Sequence, residues 1–435
     1  MQTMKPIHRA ILATSLLGCL SAHAGNESSP EPTAAPSSSA TGLLLGKFPG
    51  ETTYDKIWSA FTLYKDESNP ILQEFSLQGR LQVQYADGDA GGHFDIDDFK
   101  NGSPKNEQAV WGDNFEARRA RLGFKSKWFQ NWKLEGQIDA DTTDGLDSIY
   151  LDIYDLYLTY TQSDALNVTV GKMKVKLGRE QEISSKEILT FERSVVSNIL
   201  FPGELTGAMV NGKGIQDYWQ YELGVYASDR VREFSNFDQG AVILAKIGYD
   251  FSSQAHLDSA VASFQYMHNT ESGYQGEELV DNYYSSASPS FTDVIGLNAD
   301  IVQGRFGLTA DVLYGFGFKG NAEQKGATVA IDQPDVFGIS LIPSYFIADG
   351  LQLVGRVQVA TSADPDGLSV ASRYEKYSPD GIADAKGNTY ASYYAGLNYY
   401  LYGHKLKLMN GIEYSHMGGG AYDGYTFLSG LRFSF

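Results

Sequence analysis

The 435-residue sequence contains a single cysteine, Cys19, and no run of about 20 consecutive apolar residues. One cysteine excludes a disulfide within the chain, and the missing apolar run excludes a transmembrane helix. Basic residues are also outnumbered, because 34 Lys and Arg face 53 Asp and Glu, which leaves a net charge of −19. This balance argues against nucleic-acid binding, which needs a basic surface for phosphate contacts.

Aromatic residues and glycine, by contrast, are abundant, with 28 Tyr, 23 Phe and 46 Gly. Aromatics make up 13 % of the chain, which excludes a fully disordered protein. The apolar residues together reach only 42 %. A polar chain rich in tyrosine and glycine is typical of a transmembrane β-barrel, which needs apolar side chains only on its outer wall.

The N-terminus has the pattern of an export signal. Lys5, His8 and Arg9 precede an apolar run over residues 10–20, and Ala22-His23-Ala24 follows. This order predicts a secretory signal peptide, residues 1–24, that is cleaved after Ala24. Cys19 lies in Leu-Leu-Gly-Cys, which partly resembles a lipoprotein processing site, so lipidation at Cys19 is the alternative.

Two short segments separate the signal from the strand-rich part. Residues 25–42 are rich in Ser, Pro, Ala and Thr and predict a flexible tether. Residues 43–74 carry Trp58, Phe61 and Tyr64 at loose helical spacing. We interpret them as a periplasmic lead-in that packs on the barrel end, with a plug or partner-docking element as the alternative.

From residue 75 to 435, alternation of apolar and polar residues predicts sixteen strands of an antiparallel transmembrane β-barrel. The predicted strands are 75–86, 113–128, 131–142, 150–161, 165–174, 204–211, 218–228, 241–251, 256–268, 292–302, 305–317, 336–347, 350–361, 389–402, 404–415 and 424–435.

The connections sort by length, which favours an outer-membrane barrel over a soluble sandwich. Every second connection is a short turn, and the connections between these turns are long and polar. Outer-membrane barrels have short periplasmic turns and longer extracellular loops. Tyrosines such as Tyr157, Tyr266, Tyr345 and Tyr414 fall near strand ends, where interfacial aromatic girdles are expected.

One strand places basic residues on a single face. Leu122 and Phe124 predict the lipid-facing side, so the alternate positions face the lumen, where their charge stays in water. The predicted pore-lining basic residues on this and other strands are Arg80, Arg119, Arg121, Lys125, Lys127, Lys407 and Arg432. Acidic side chains are predicted on the inner faces of several strands: Glu135, Asp139, Asp141, Asp155, Asp300 and Asp311.

Enzyme motifs are missing from the sequence. The histidines show no metal-ligand spacing, and there is no G-x-S-x-G nucleophile elbow. We therefore expect no enzymatic activity, no cofactor and no metal site.

Several strand motifs resemble the phosphate-selective porin O and P family. They are Phe115-Glu116-Ala117-Arg118-Arg119-Ala120-Arg121-Leu122-Gly123-Phe124-Lys125, Gly79-Arg80-Leu81-Gln82, Val170-Gly171-Lys172-Met173-Lys174 and Phe191-Glu192-Arg193-Ser194. Phe435, which closes an alternating strand, is similar to the signal that the barrel-assembly machinery recognises.

The resemblance implies a homotrimeric porin whose third extracellular loop folds inward and narrows the pore. By position this loop is residues 175–203, and basic residues of the family's channels attract anions. The candidate constriction residues in or beside it are Lys174, Lys176, Arg179, Lys186, Glu192 and Arg193. The strongly acidic composition departs from the basic pattern of the family.

These observations predict a passive porin in the outer membrane of a Gram-negative bacterium. It contacts outer-membrane lipid and passes small hydrophilic solutes, with anions such as phosphate as the specific candidate. A general or sugar-accepting porin is the first alternative, and a structural or adhesive barrel is the second.

Overall fold

The computed structural model describes residues 52–89, 115–140, 150–229, 231–235, 237, 240–270, 291–317, 320–324, 327–331, 335–365, 367–369, 386–418 and 422–435. The predicted signal peptide (1–24), the tether (25–42), Cys19 and Asp141 lie outside these residues, as does the lead-in before residue 52.

Sixteen antiparallel strands form a closed barrel, as the alternation predicts. The barrel strands are β2 (Leu72–Asp89), β3 (Phe115–Trp128), β4 (Trp132–Ala140), β5 (Tyr150–Ser163), β6 (Leu166–Lys174), β7 (Glu204–Ile215), β8 (Trp219–Ala227), β9 (Ala241–Asp250), β10 (Ser259–Asn269), β11 (Asp293–Gln303), β12 (Phe306–Phe316), β15 (Val336–Ala348), β16 (Leu351–Ser362), β19 (Thr389–Tyr402), β20 (Leu406–Gly418) and β21 (Tyr422–Ser434). Closure comes from β21, which pairs with β2 in a register that puts Arg80 opposite Ser434 and Asp89 opposite Tyr425.

Short turns join the strands at one end of the barrel, which we call the turn end. Phe129 and Gln130 adopt positive φ between β3 and β4, and Gly304, Gly350 and Gly403 do so in later turns. Such left-handed conformations reverse the chain within two or three residues. The opposite end, which carries the long connections, is the loop end.

Side chains alternate between the outer wall and the interior along each strand. On β16, Leu353 and Val357 are 47 % and 43 % exposed, whereas Arg356 and Gln358 are 3 % and 2 % exposed. Apolar side chains therefore cover the outside, where lipid can solvate them, and polar side chains point inward.

Aromatic rings mark both ends of the wall. Trp132 packs on Tyr160 at the turn end, with ring centroids 4.9 Å apart. Tyr414 and Tyr425 pair at the loop end, 5.1 Å apart. This arrangement fits the interfacial girdles of outer-membrane barrels.

Several elements were not predicted from the sequence. Helix α1 (Thr53–Ser59) and strand β1 (Thr62–Lys65) precede the barrel, and β1 pairs with β2. The other additions lie in connections and are α2 (Arg179–Glu182), α3 (Val195–Ile199), α4 (Ser252–Ala255), β13 (Gly320–Gln324), β14 (Ala327–Ile331), β17 (Leu368–Ser369) and β18 (Lys386–Gly387). Among the described residues, no helix is long and apolar enough to cross a membrane.

Candidate constriction site

Residues 175–203, hereafter the constriction loop, connect β6 to β7 and lie inside the barrel. Apolar side chains of the loop, among them Val175, Leu177 and Val196, are buried against inward-facing residues such as Leu313 and Val354. Burial of these groups from water holds the loop inside the barrel. The loop and the apolar inner wall thus fill one side of the interior.

The first part of the loop is fixed to β11 and β12. Asp311 accepts hydrogen bonds from the main-chain N–H groups of Arg179 (2.6 Å) and Glu180 (2.9 Å). The Arg179 guanidinium pairs with Asp300 at 3.1 Å. Because Asp311 is 1 % exposed, loss of its carboxylate would leave two buried donors without this acceptor.

The middle of the loop reaches strands near the closure of the barrel. Lys407 Nζ donates to the main-chain oxygen of Ile188 at 2.7 Å, and Asn398 donates to that of Leu189 at 2.9 Å. The Gln82 amide donates to the main-chain oxygen of Ser185 at 2.8 Å. This part of the loop is therefore tied to β2, β19 and β20.

The last part of the loop is fixed to β15 and β16. The main-chain N–H of Val195 donates to Gln358 at 2.7 Å. Arg356 donates to the main-chain oxygen of Glu192 at 2.5 Å and to the carboxylate of Glu413 at 2.7 Å. Three sets of contacts around the circumference therefore hold the loop across the interior.

Glu192 joins the loop to two adjacent arginines of β3. It pairs with Arg118 at 2.5 Å and with Arg119 at 3.4 Å. Both arginines reach inward because β3 has a bulge here, where Arg119 lies opposite Gln82 and Ala117 opposite Val83, so Arg118 is the extra residue. Burial opposes ionisation of Glu192, but the two guanidinium groups outweigh it and hold the pKa of that carboxyl well below its usual range.

Arg121 lies next along the same inner face. Its guanidinium donates to Asp139 at 2.8 Å and stacks 3.3 Å from the centre of the Tyr154 ring. The ion pair and the cation–π contact fix the position of the Arg121 guanidinium. The Tyr154 ring, unlike Asp139, carries no formal charge and so does not neutralise the guanidinium.

A polar cavity of about 230 Å³ lies between the constriction loop and the wall of β3–β6. Its lining residues are Arg118, Arg119, Arg121, Asp139, Asp152, Tyr154, Lys174, Gln181, Ser185, Arg193, Asn198, Phe201 and Glu204. Five cations face three carboxylates here, so the lining is more basic than the protein as a whole.

The other predicted constriction residues lie in three places: in the cavity lining, beside it and near the closure of the barrel. Lys174 lies over the Phe201 ring at 5.5 Å, and Arg193 donates to the main-chain oxygens of Glu180 and Ile183, each at 2.7 Å. Lys176 is half-buried outside the cavity lining. Lys186 lies near the barrel closure, where burial and the neighbouring Arg80 and Lys125 lower its pKa to about 7.

The predicted strand residues outside the cavity form two groups, one covered by the constriction loop and one near the turn end. Arg80, Lys407 and Arg432 point inward but are 6 %, 0 % and 1 % exposed, because the constriction loop covers them. Lys125 and Lys127 lie nearer the turn end, where they pair with Glu135 (3.9 Å) and Glu67 (3.2 Å).

Sequence reasoning missed Arg118 and the Arg356–Glu413 pair. Arg356 alternates with the outward Leu353, Val357 and Val359, so period-2 counting would have found it. Period-2 counting does not find Arg118, because the bulge in β3 breaks the alternation of inward and outward residues at this position. Where the structure describes the chain, no group of three or more His, Cys, Asp or Glu side chains could hold a metal ion.

The closed barrel with a loop folded across its interior defines the class of the protein, an outer-membrane porin. Residues 89–417 match the phosphate-selective porin O and P family, and the chain belongs to that family. Its location is the outer membrane of a Gram-negative bacterium, so the turn end is periplasmic and the loop end is extracellular.

Solved structures show the same fold at low sequence identity. OmpT, an outer membrane protein of Vibrio cholerae, is 10 % identical, with a TM-score of 0.51 over 86 % of this chain and 99 % of that chain. OmpF of Salmonella typhi, in a complex with daunomycin, is 11 % identical, with a TM-score of 0.51 over 86 % of this chain and 100 % of that chain. No curated protein sequence matches the chain significantly.

Proposed function

We propose that the protein is an anion-preferring porin and that solutes pass through the cavity between the constriction loop and the β3–β6 wall. The observation that carries the proposal is the lining of this cavity, with five cations and three carboxylates. Basic groups in a narrow pore favour anions through their field and through N–H donors that replace hydration water.

Two of these cations bind groups other than carboxylates. Within the described residues, neither Lys174 nor Arg193 forms an ion pair with a carboxylate, since their contacts are an aromatic ring and main-chain oxygens. Arg118, Arg119 and Arg121, by comparison, share Glu192 and Asp139. Lys174 and Arg193 therefore add to the positive field of Arg118, Arg119 and Arg121 that an anion would meet in the cavity. Phosphate is the first anion to test, because the family is described as phosphate-selective.

Reversal potentials in planar bilayers across a KCl gradient test the proposal. The wild-type channel should prefer chloride, and Arg119→Ala combined with Arg121→Ala should remove that preference. Lys127→Ala is the matched control, since Lys127 lies outside the cavity lining, and it should leave the potential unchanged.

Three results would contradict the proposal. Cation preference of the wild type would exclude an anion channel. Equal passage of neutral sugars and anions in liposome-swelling assays would favour a general or sugar-accepting porin. A folded protein without conductance would favour a structural or adhesive barrel.

The proposed assembly is a homotrimer inserted by the barrel-assembly machinery through Phe435. Family membership and the aromatic end of β21 support this proposal. Native mass spectrometry of the detergent-extracted protein tests the trimer, which a monomeric mass would contradict. Phe435→Ala should lower the amount of folded protein in the outer membrane, and unchanged insertion would exclude Phe435 as the signal.

A further inference from the structure

Residues 53–65, hereafter the N-terminal clasp, pack against the end of β21. Trp58 Nε1 donates to the main-chain oxygen of Ser434 at 2.7 Å, in a buried position. The Phe61 ring stacks on the Phe435 ring with centroids 3.9 Å apart and planes 18° apart. These contacts hold the final residues of the last barrel strand.

The clasp is itself well fixed. Thr52 and Asp55 form a capping box at the start of α1, and Tyr402 donates to Asp55 at 2.5 Å. The hydrogen bond from Tyr402 is the main cause of the lowered pKa of Asp55. β1 pairs with the part of β2 that β21 does not reach, with Thr62 opposite Ser76 and Lys65 opposite Glu74.

The constriction loop contacts the same residue from another direction. Lys186 Nζ donates to the main-chain oxygen of Phe435 at 3.1 Å. The Phe435 ring lies over Gly79, where a Cβ atom would come within 2.5 Å of a ring carbon, so only glycine leaves room for the ring. Phe435 therefore connects the clasp, through its ring, to the loop, through its main-chain oxygen.

We propose that the N-terminal clasp positions the constriction loop through Phe435 and thereby helps to set the width of the channel. Without the Phe61 ring, the Phe435 ring loses its stacking partner in the clasp, and Phe435 keeps its two main-chain hydrogen bonds with Gly79. The end of the chain, and with it the oxygen that Lys186 binds, is then held less tightly. The segment of the loop next to Lys186 then moves more freely. The effect on conductance rests on the proposed porin function, but the effect on the loop does not.

Hydrogen exchange of the full-length protein in detergent, read on peptides covering residues 183–190, tests the coupling. Lys186→Gln should raise exchange in this segment about tenfold, the effect of losing one hydrogen bond to a charged group. Phe61→Ala should raise exchange in the same segment, by no more than this. The double variant should show no more than the larger single effect, because both changes break one connection. Ile57→Ala and Leu63→Ala are matched controls, since these clasp residues are 47 % and 58 % exposed.

Single-channel recordings give the second readout. Phe61→Ala and Lys186→Gln should increase current fluctuations, and the two controls should not. If Phe61→Ala raises exchange only in residues 72–79, the clasp merely protects the edge of β2 and the proposal is overturned. Additive effects in the double variant, or equal effects in the controls, would also overturn it. If the wild type folds but does not conduct while exchange responds as expected, the positioning role stands and the porin function fails.

Discussion

At Glu192 one carboxylate holds two neighbouring guanidinium groups, those of Arg118 and Arg119. The bulge in β3 makes this possible, because consecutive residues of a regular strand point to opposite faces. Glu192 therefore fastens the constriction loop to the wall and offsets part of the positive charge at the cavity.

Replacement of Glu192 by glutamine should increase the preference for anions. The amide keeps the shape of the side chain but removes a negative charge beside two cavity arginines. Reversal potentials across a KCl gradient should shift further toward the chloride potential. Glu187→Gln is the control, since Glu187 lies in the same loop but outside the cavity lining. An unchanged potential for Glu192→Gln would mean that the permeation path does not pass this pair.

The stability that Glu192 contributes should depend on pH. Its pKa is lowered in the folded protein relative to the ordinary value of 4.5, so the unfolded chain binds the proton more readily. The contribution is therefore present above about pH 4.5 and is lost as pH falls through the lower folded pKa. Urea unfolding in lipid vesicles should show Glu192→Gln to be less stable than wild type by roughly 1–3 kcal/mol at pH 7. The difference should shrink below pH 4.5, and a constant difference down to pH 3 would contradict this assignment.

Among the elements, the constriction loop depends most on partners distant in sequence. Its short helices, α2 and α3, have four and five residues, too few to be stable alone. Asp311, Gln358 and Lys407 supply hydrogen bonds from three different strands. The loop is therefore ordered by the barrel around it, and each anchor fixes a different part.

Loss of the Asp311 anchor should widen the channel or make it fluctuate. In Asp311→Ala, the main-chain N–H groups of Arg179 and Glu180 lose their acceptor, at a cost of about 1–3 kcal/mol. Single-channel recordings should show larger or noisier conductance. Asp335→Ala is the control, because Asp335 bonds Tyr314, an outward residue at the loop end. Wild-type currents in Asp311→Ala would show that the other anchors suffice.

The outer wall and the interior of the barrel need side chains of different polarity. The outer wall must be apolar for lipid, while the interior combines an apolar side, packed with the constriction loop, and a charged side at β3–β6. Because β-strands alternate, one sequence meets both demands along the same strands.

A charge on the outer wall should destabilise the protein according to its depth in the membrane. Leu223 is the central residue of β8 and is 55 % exposed. Leu223→Arg should lower the free energy of unfolding in lipid vesicles by about 2–4 kcal/mol. Leu63→Arg, at a similarly exposed site of β1 outside the barrel, should change it by less than about 0.5 kcal/mol. Equal effects at both sites would contradict the orientation of β8 in the membrane.

Sequence alone determined the barrel, because alternation and turn spacing are local properties that each strand carries. All sixteen strands were predicted and are confirmed, and the ends of β19 coincide with the prediction. The inward direction of Arg119, Arg121 and Lys407 also followed from alternation, since their neighbours Leu122 and Leu408 mark the lipid side.

Only the tertiary structure decided which inward charges reach the cavity. Lys407 and Arg432 are covered by the constriction loop, whereas Arg119 and Arg121 line the cavity. Arg118 enters it through a bulge, and α1 packs on residues more than 300 positions away, as the bond from Trp58 to Ser434 shows. These features depend on contacts between distant segments, and such contacts leave no periodic pattern in the chain.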